Sequence, residues 1–413
     1  MDIEIVALAV SILIVVVLVR LRVDLGLAML ASAASLALIA VRPFGLGLAG
    51  WTALQLGRAA IERDTLLLLG RIISIIALGA LAGRLGYLDR FVSGLRKLIP
   101  DNRVVIALMP AFGGLLPMPG GAMLSAPMVE SALEKVPQAD GGAATPEEKF
   151  FVNYWFRHVW EYVWPLYPGL VVAASLVNRP LRDLFMANYP LTIAAIAGGT
   201  FFVLLRVKAG RNERGAEGRR GARRDLLIGI LPFAVTIVGV LVLRFELILV
   251  VLVVVALLAI VERARWADIG AAFRRGAEFQ IVTLVLGVAA YKYMLTAAGI
   301  IDAVPAFFIE MHLPELVVIA AVPMLIGLIT GVTLAFIAVT FPLLIPLMGG
   351  AEIDLTLVMF AFGSGFVGCL LSPVHLCLVL SREYFRADLG RSYRMLLLPA
   401  LTVMAVATAI VLL

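Results

Sequence analysis

Asn153, Arg157, His158, Glu161 and Tyr162 lie close together in one largely apolar stretch, and His375 lies in another, Cys369 to Leu380. Ionisable side chains at membrane depth are expensive, so they point to function. An imidazole with an ordinary pKa of about 6.5 can carry a proton near neutrality. His158, Glu161 and His375 are therefore the candidate coupling residues, and Asn153, Ser364 and Ser372 are candidate neutral contacts to a solute. Two blander readings stand beside these. A lone membrane histidine also serves as a helix-packing donor, and Arg157 among Trp155, Trp160 and Trp164 also fits an interfacial anchor. Arg157 and Glu161, at i,i+4, share a helical face and can neutralise each other.

Two further sets need no charged side chain. Pro117-Met118-Pro119-Gly120-Gly121 and Thr330-Gly331-Val332-Thr333 interrupt long apolar segments, 104–133 and 316–348. Proline removes an amide donor and glycine weakens a helix interior, so each segment is expected to fold back as a re-entrant hairpin. The exposed helix ends would offer partial positive charge at N termini and carbonyl oxygens at C termini. Pro117, Pro119, Gly120, Gly121, Thr330, Gly331 and Thr333 are thus expected at the solute. For the second tip, glycines that merely allow close helix packing are the competing reading.

Catalytic motifs are missing. None of His158, His312 or His375 belongs to a His-Glu-x-x-His signature, Gly363-Ser364-Gly365 lacks the context of a nucleophile elbow, and there is no P-loop. The expectation is no enzyme, no catalytic residue, no metal ligand and no cofactor beyond a coupling ion, H+ or Na+. Cys369 and Cys377, eight positions apart on one predicted helix, are separated by about 12 Å of rise and cannot pair.

The elements that must position these residues are membrane helices. The chain is 62% hydrophobic and 15% charged, where soluble proteins average about half and a quarter. Apolar runs predict spans near 3–19, 25–41, 65–85, 150–178 and 187–205, then near 225–243, 245–261, 279–297, 355–378 and 393–412. The first run lacks the basic start of a signal peptide and is expected to remain as a helix. The fourth span of each half is itself broken, by Pro165 and Pro168 in one and by Gly363, Gly365, Gly368 and Pro373 in the other. The fold class expected is an all-α polytopic membrane protein: two inverted repeats, 1–207 and 225–413, about ten transmembrane helices and two hairpins, joined by a basic linker at 208–224.

Two signals support the duplication. Val104-Val105-Ile106-Ala107, Pro110 and Gly114 match Val317-Val318-Ile319-Ala320, Pro323 and Gly327 at constant offset, and Leu88-Asp89 corresponds to Ile301-Asp302. An odd number of crossings per copy makes the copies face opposite ways. With both termini outside, Lys and Arg gather on the cytoplasmic side, the linker included, as the positive-inside rule requires. Topology thus accounts for the net charge of +6, and no stacking aromatics accompany the basic cluster to suggest nucleic acid.

The strings Gly114-Leu115-Leu116-Pro117-Met118-Pro119-Gly120-Gly121-Ala122 and Leu371-Ser372-Pro373-Val374-His375-Leu376-Cys377-Leu378 resemble the prokaryotic membrane family known as domain of unknown function 401. That family looks like a branch of the ion transporter superfamily, with its gluconate permeases, dicarboxylate and citrate carriers and sodium/proton antiporters. The resemblance implies inverted repeats, hairpins meeting near midplane, a homodimer, and solute movement driven by an ion gradient. Neither tip carries the Ser-Asn-Thr motif of the sodium-coupled dicarboxylate carriers. The expected function is secondary transport of a small solute, with organic anions among the candidates, across the inner (plasma) membrane and coupled to protons or sodium. A cation/proton antiporter or a channel is the alternative, and an intramembrane enzyme stands behind both.

Overall fold

The computed structural model describes residues 3–40, 47–98, 102–115, 122–133, 144–206 and 219–413, and among these it contains helices and no strand. The helices before residue 207 are α1 (Ile3–Arg20), α2 (Leu25–Ala40), α3 (Gly47–Ile61), α4 (Arg63–Arg84), α5 (Tyr87–Leu98), α6 (Asn102–Gly114), α7 (Ala122–Leu133), α8 (Pro146–His158), α9 (Pro168–Leu176) and α10 (Leu181–Arg206). Those after residue 218 are α11 (Arg219–Ile237), α12 (Leu247–Val261), α13 (Trp266–Gly276), α14 (Phe279–Ala297), α15 (Ile300–Glu310), α16 (Glu315–Thr330), α17 (Thr333–Leu344), α18 (Leu355–Leu370), α19 (Leu376–Phe385) and α20 (Leu389–Leu412). The duplicated flanks seen in the sequence begin α5 and α15. Short apolar pairs follow in both halves, α6 with α7 and α16 with α17.

Six helical stretches among the described residues are long and apolar enough to cross a membrane: Ile3–Arg20, Arg63–Arg84, Leu181–Leu205, Gly221–Val242, Trp266–Ala297 and Leu389–Leu412. The expected spans near 25–41 and 245–261 are shorter, at 16 and 15 residues. Residues 219–224, expected in the linker, form the start of α11. The remainder of the linker and the first tip, with Pro117, Pro119, Gly120 and Gly121, lie outside the described residues.

The chain divides into two compact units, each drawing on both halves. Unit 1 comprises Met1–Ile73, Val171–Leu184 and Gly276–Ser372. Here α2 packs on α14 at backbone contact: a Cβ on Gly26 would fall on the Thr283 and Leu284 backbone, and one on Gly287 would lie 2.6 Å from the Gly26 carbonyl oxygen. Small residues permit such approach where helices gain nothing from hydrophobic exclusion. Polar bonds fasten the same bundle. The Ser11 and Tyr291 hydroxyls are 3.1 Å apart, and Ser32 donates to the Ser11 carbonyl at 2.8 Å.

The α16–α18 contact is made the same way. A Cβ on Gly327 would meet the Gly365 carbonyl, and one on Gly368 would meet that of Met324. This corrects one expectation: Gly363, Gly365 and Gly368 do not break their helix but lie within continuous α18, where the absent side chains admit α16 and Phe336. The interruption comes after it, at 371–375, around Pro373.

Unit 2 comprises Ser74–Leu170, Phe185–Arg275 and Pro373–Leu413. Amphipathic α5 lies on α11 through Gly94 and Gly229, whose Cβ positions are taken by the Ala222 and Leu226 backbone and by Phe91. At one end Tyr87 donates to Glu262 at 2.9 Å and Arg90 pairs with the same carboxylate at 3.1 Å. Burial, and then the Glu262 hydrogen bond, push the Tyr87 hydroxyl up to about 12. A folded pKa above the unfolded value of about 10 adds stability below pH 10 that is lost as pH rises through 12. Tyr87→Phe should therefore flatten alkaline unfolding over that window, as followed by tryptophan fluorescence. An unchanged alkaline limb would show that Tyr87 has no part in it.

Candidate functional site

Helix α8 carries Asn153, Arg157 and His158, and its C-terminal two-thirds is buried on every face. Its start is fixed locally: Thr145 caps the helix, accepting from Glu148 N at 3.2 Å while Glu148 Oε2 accepts from Thr145 N at 2.9 Å, with Pro146 at the first helical position. Its end at His158 precedes Pro165 and Pro168, neither of which can supply a helical donor. From Phe150 to His158 every side chain is buried. Trp155 donates to the Ala195 carbonyl at 2.8 Å, so it serves as an interior contact of α10.

The interruption after α8 frees backbone carbonyls that lipid could not satisfy. Two α10 side chains meet them: Asn188 Nδ2 donates to Tyr162 O at 2.9 Å, and Thr192 Oγ1 to Val159 O at 2.9 Å. Arg157 performs the same service for α6, donating to the Gly113 carbonyl at 2.6 Å. A Cβ on Gly114 would strike the Arg157 carbonyl. Because the helix stops at His158, Glu161 leaves the face it would have shared with Arg157 at i,i+4. Its carboxylate instead lies 3.7 Å from His158 Nε2 and against the Tyr167 hydroxyl.

Asn153, one turn and a half before the end of α8, links three helices. It accepts from Ser125 Oγ of α7 at 2.6 Å and donates to Ser381 Oγ of α19 at 2.9 Å. The outer end of this frame is closed by Tyr384, which donates to Glu130 at 2.9 Å, and by Lys149, 3.7 Å from the same carboxylate. Helix α19 begins after Pro373, with His375 as its N-cap residue and Cys377 in its first turn. The His375 and His158 Nε2 atoms are 3.2 Å apart, and their ring centroids 5.1 Å. Tyr154 packs against both rings. The Cys377 thiol also faces both imidazoles.

The structure thus brings Asn153, His158, Glu161 and His375 into one buried cluster of unit 2. The remaining candidates lie in unit 1. Thr330 closes α16, Gly331 takes a left-handed φ of 65°, Val332 is extended and Thr333 opens α17, so the chain breaks where the sequence indicated. The Thr330 hydroxyl donates to Ile326 O at 2.7 Å, and that of Ser364 to Ala361 O at 3.1 Å. Thr333 Oγ1 is 3.8 Å from Cys369 Sγ, and Ser372 is buried in the interruption after α18. Cys377, Ser125, Ser381 and Tyr167 were not singled out as site residues from the sequence. The His-x-Cys spacing of residues 375–377 was a usable signal for the first, whereas the serines carry none.

These helices place the chain among membrane-embedded proteins. The family model described as protein of unknown function (DUF401) matches residues 3–413, and the chain belongs to that family. A comparison with curated proteins gives no match.

Proposed function

We propose that the protein is a secondary transporter that moves a small solute across the inner (plasma) membrane, driven by a proton or sodium gradient. One observation carries this reading: among the described residues a similar order of long and short helices is found before residue 207 and after residue 218, with the short pair α6 and α7 corresponding to α16 and α17, and with helices that end at proline-containing interruptions after α8 and after α18. Paired repeats with discontinuous helices near membrane depth are how many carriers build a solute site. An inverted relation of the two halves, and re-entry of the short pairs from opposite faces, belong to the same proposal. Organic anions suit helix N termini as ligands. His158, Glu161 and His375 are the proposed coupling groups, since a proton held among them would change the charge of a buried cluster.

The test is flux in proteoliposomes holding the purified protein, using labelled organic acids, sugar acids and amino acids under imposed proton or sodium gradients. Uptake that an ionophore collapses, together with solute counterflow, is the expected result. Glu161→Gln should cut gradient-driven uptake at least tenfold while sparing counterflow. Flux that ignores both gradients and shows no counterflow would indicate a channel and overturn the carrier reading.

A further inference from the structure

We infer that His158, His375 and Cys377, with the Glu161 carboxylate beside them as counter-charge, form a binding site for a divalent transition-metal ion of the zinc type. The inference concerns binding alone and does not rest on the transport reading. The ligand atoms of His158, His375 and Cys377 all lie within 4.8 Å of one another. In a tetrahedral site with Zn–N bonds of about 2.0–2.1 Å, two nitrogen donors stand about 3.3 Å apart. The two Nε2 atoms, at 3.2 Å, already hold that separation.

The tautomer is also set for a metal. His158 Nδ1 is 2.6 Å from the Tyr154 carbonyl oxygen, which can only accept, so Nδ1 carries the proton and Nε2 turns its lone pair inward. A ring nitrogen donating to a backbone carbonyl is the usual support of a metal-bound histidine. Glu161 adds an independent sign: it is 3% exposed, and although Tyr167 and His158 lie against its carboxylate, the buried Oε2 atom makes no hydrogen bond. Charge points to the same ion class. A thiolate and a carboxylate neutralise a divalent cation, two imidazoles add nothing, and the buried site as a whole is neutral. Mixed sulfur and imidazole donors favour zinc over magnesium or calcium, which prefer oxygen. On ligation the Cys377 thiol gives its proton to solvent, and the His375 ring shifts its proton from Nε2 to Nδ1 so that both imidazoles bind neutral; metal and a transferable proton thus compete for the same lone pairs.

The test uses tag-free, detergent-purified full-length protein loaded with Zn2+ and separated from free metal. One zinc per chain by mass spectrometry of the metal is expected, with a raised unfolding temperature. Substitution by Co2+ should give the strong visible bands of a tetrahedral ion and a thiolate-to-cobalt charge-transfer band in the near ultraviolet. Cys377→Ser should abolish that band, Cys369→Ser should keep it, and His158→Ala should weaken zinc affinity at least tenfold. Should His158→Ala fail to fold, the wild-type cobalt spectrum decides alone. Less than a tenth of an equivalent of zinc, a wild-type cobalt complex without the charge-transfer band, or a band that survives Cys377→Ser would each overturn the inference.

Discussion

Asn153→Leu should abolish the proposed uptake and destabilise unit 2 by about 2–6 kcal/mol, from two buried hydrogen-bonding groups at roughly 1–3 kcal/mol each. The amide is fully buried and uses both of its ends, accepting from Ser125 at 2.6 Å and donating to Ser381 at 2.9 Å. Leucine has the same branching and number of side-chain heavy atoms but neither function, so both hydroxyls lose this partner inside a bundle where water cannot replace it. Helix α19, which carries His375 and Cys377, is tied to α8 through this residue. Ser381→Ala removes only one bond and should cost about 1 kcal/mol. Thermal unfolding in detergent with flux measured alongside separates the two, and an Asn153→Leu protein that melts with the wild type would show that the Ser125–Asn153–Ser381 chain does not hold these helices together.

Gly368→Val should prevent unit 1 from assembling as described. The new Cβ would fall on the Met324 carbonyl of α16, and a backbone atom cannot swing aside as a side-chain tip can. Overpacking at a rigid contact costs about 1–3 kcal/mol and sometimes more. Here separating the helices would also disturb Gly327 against Gly365. Loss of the monodisperse peak in size-exclusion chromatography is the expected readout. Gly270→Ala is the control, because nothing lies within 4 Å of its Cβ position. If Gly368→Val elutes and melts as the wild type does, the α16–α18 contact is wrongly drawn.

The glycines of α18 show what a single sequence leaves open. Gly363, Gly365 and Gly368 weaken a helix wherever they stand, and nothing local says whether the weakness ends it or is offset by a closely packed neighbour. That neighbour is α16, some forty residues earlier in the chain. At Thr330–Thr333 the ambiguity resolved the other way, because glycine at 331 can take a positive φ that other residues avoid. The membrane class was legible because it depends on composition and run length alone. Buried status for α8 was half legible: Trp155, with Trp160 and Trp164 just beyond the helix, fits an interface as well as an interior, and the contact that buries it, to Ala195, is made by another helix. Of the polar cluster, the histidines and Glu161 stood out as ionisable groups in apolar stretches. Ser125 and Ser381 are ordinary serines until folding sets them against Asn153.

Because each unit is assembled from both halves of the chain, neither can be completed while the first half alone has been made. Gly26 of α2 must await Thr283 of α14, about 250 residues later, which at a synthesis rate of roughly 5–20 residues per second is a delay of some ten to fifty seconds. Throughout that interval the Gly26 face of α2 stands without its partner. Other nascent chains offer the same face. Biogenesis therefore favours slow expression, and a ribosome pausing before α11 or α14 would extend the period in which two copies could exchange helices.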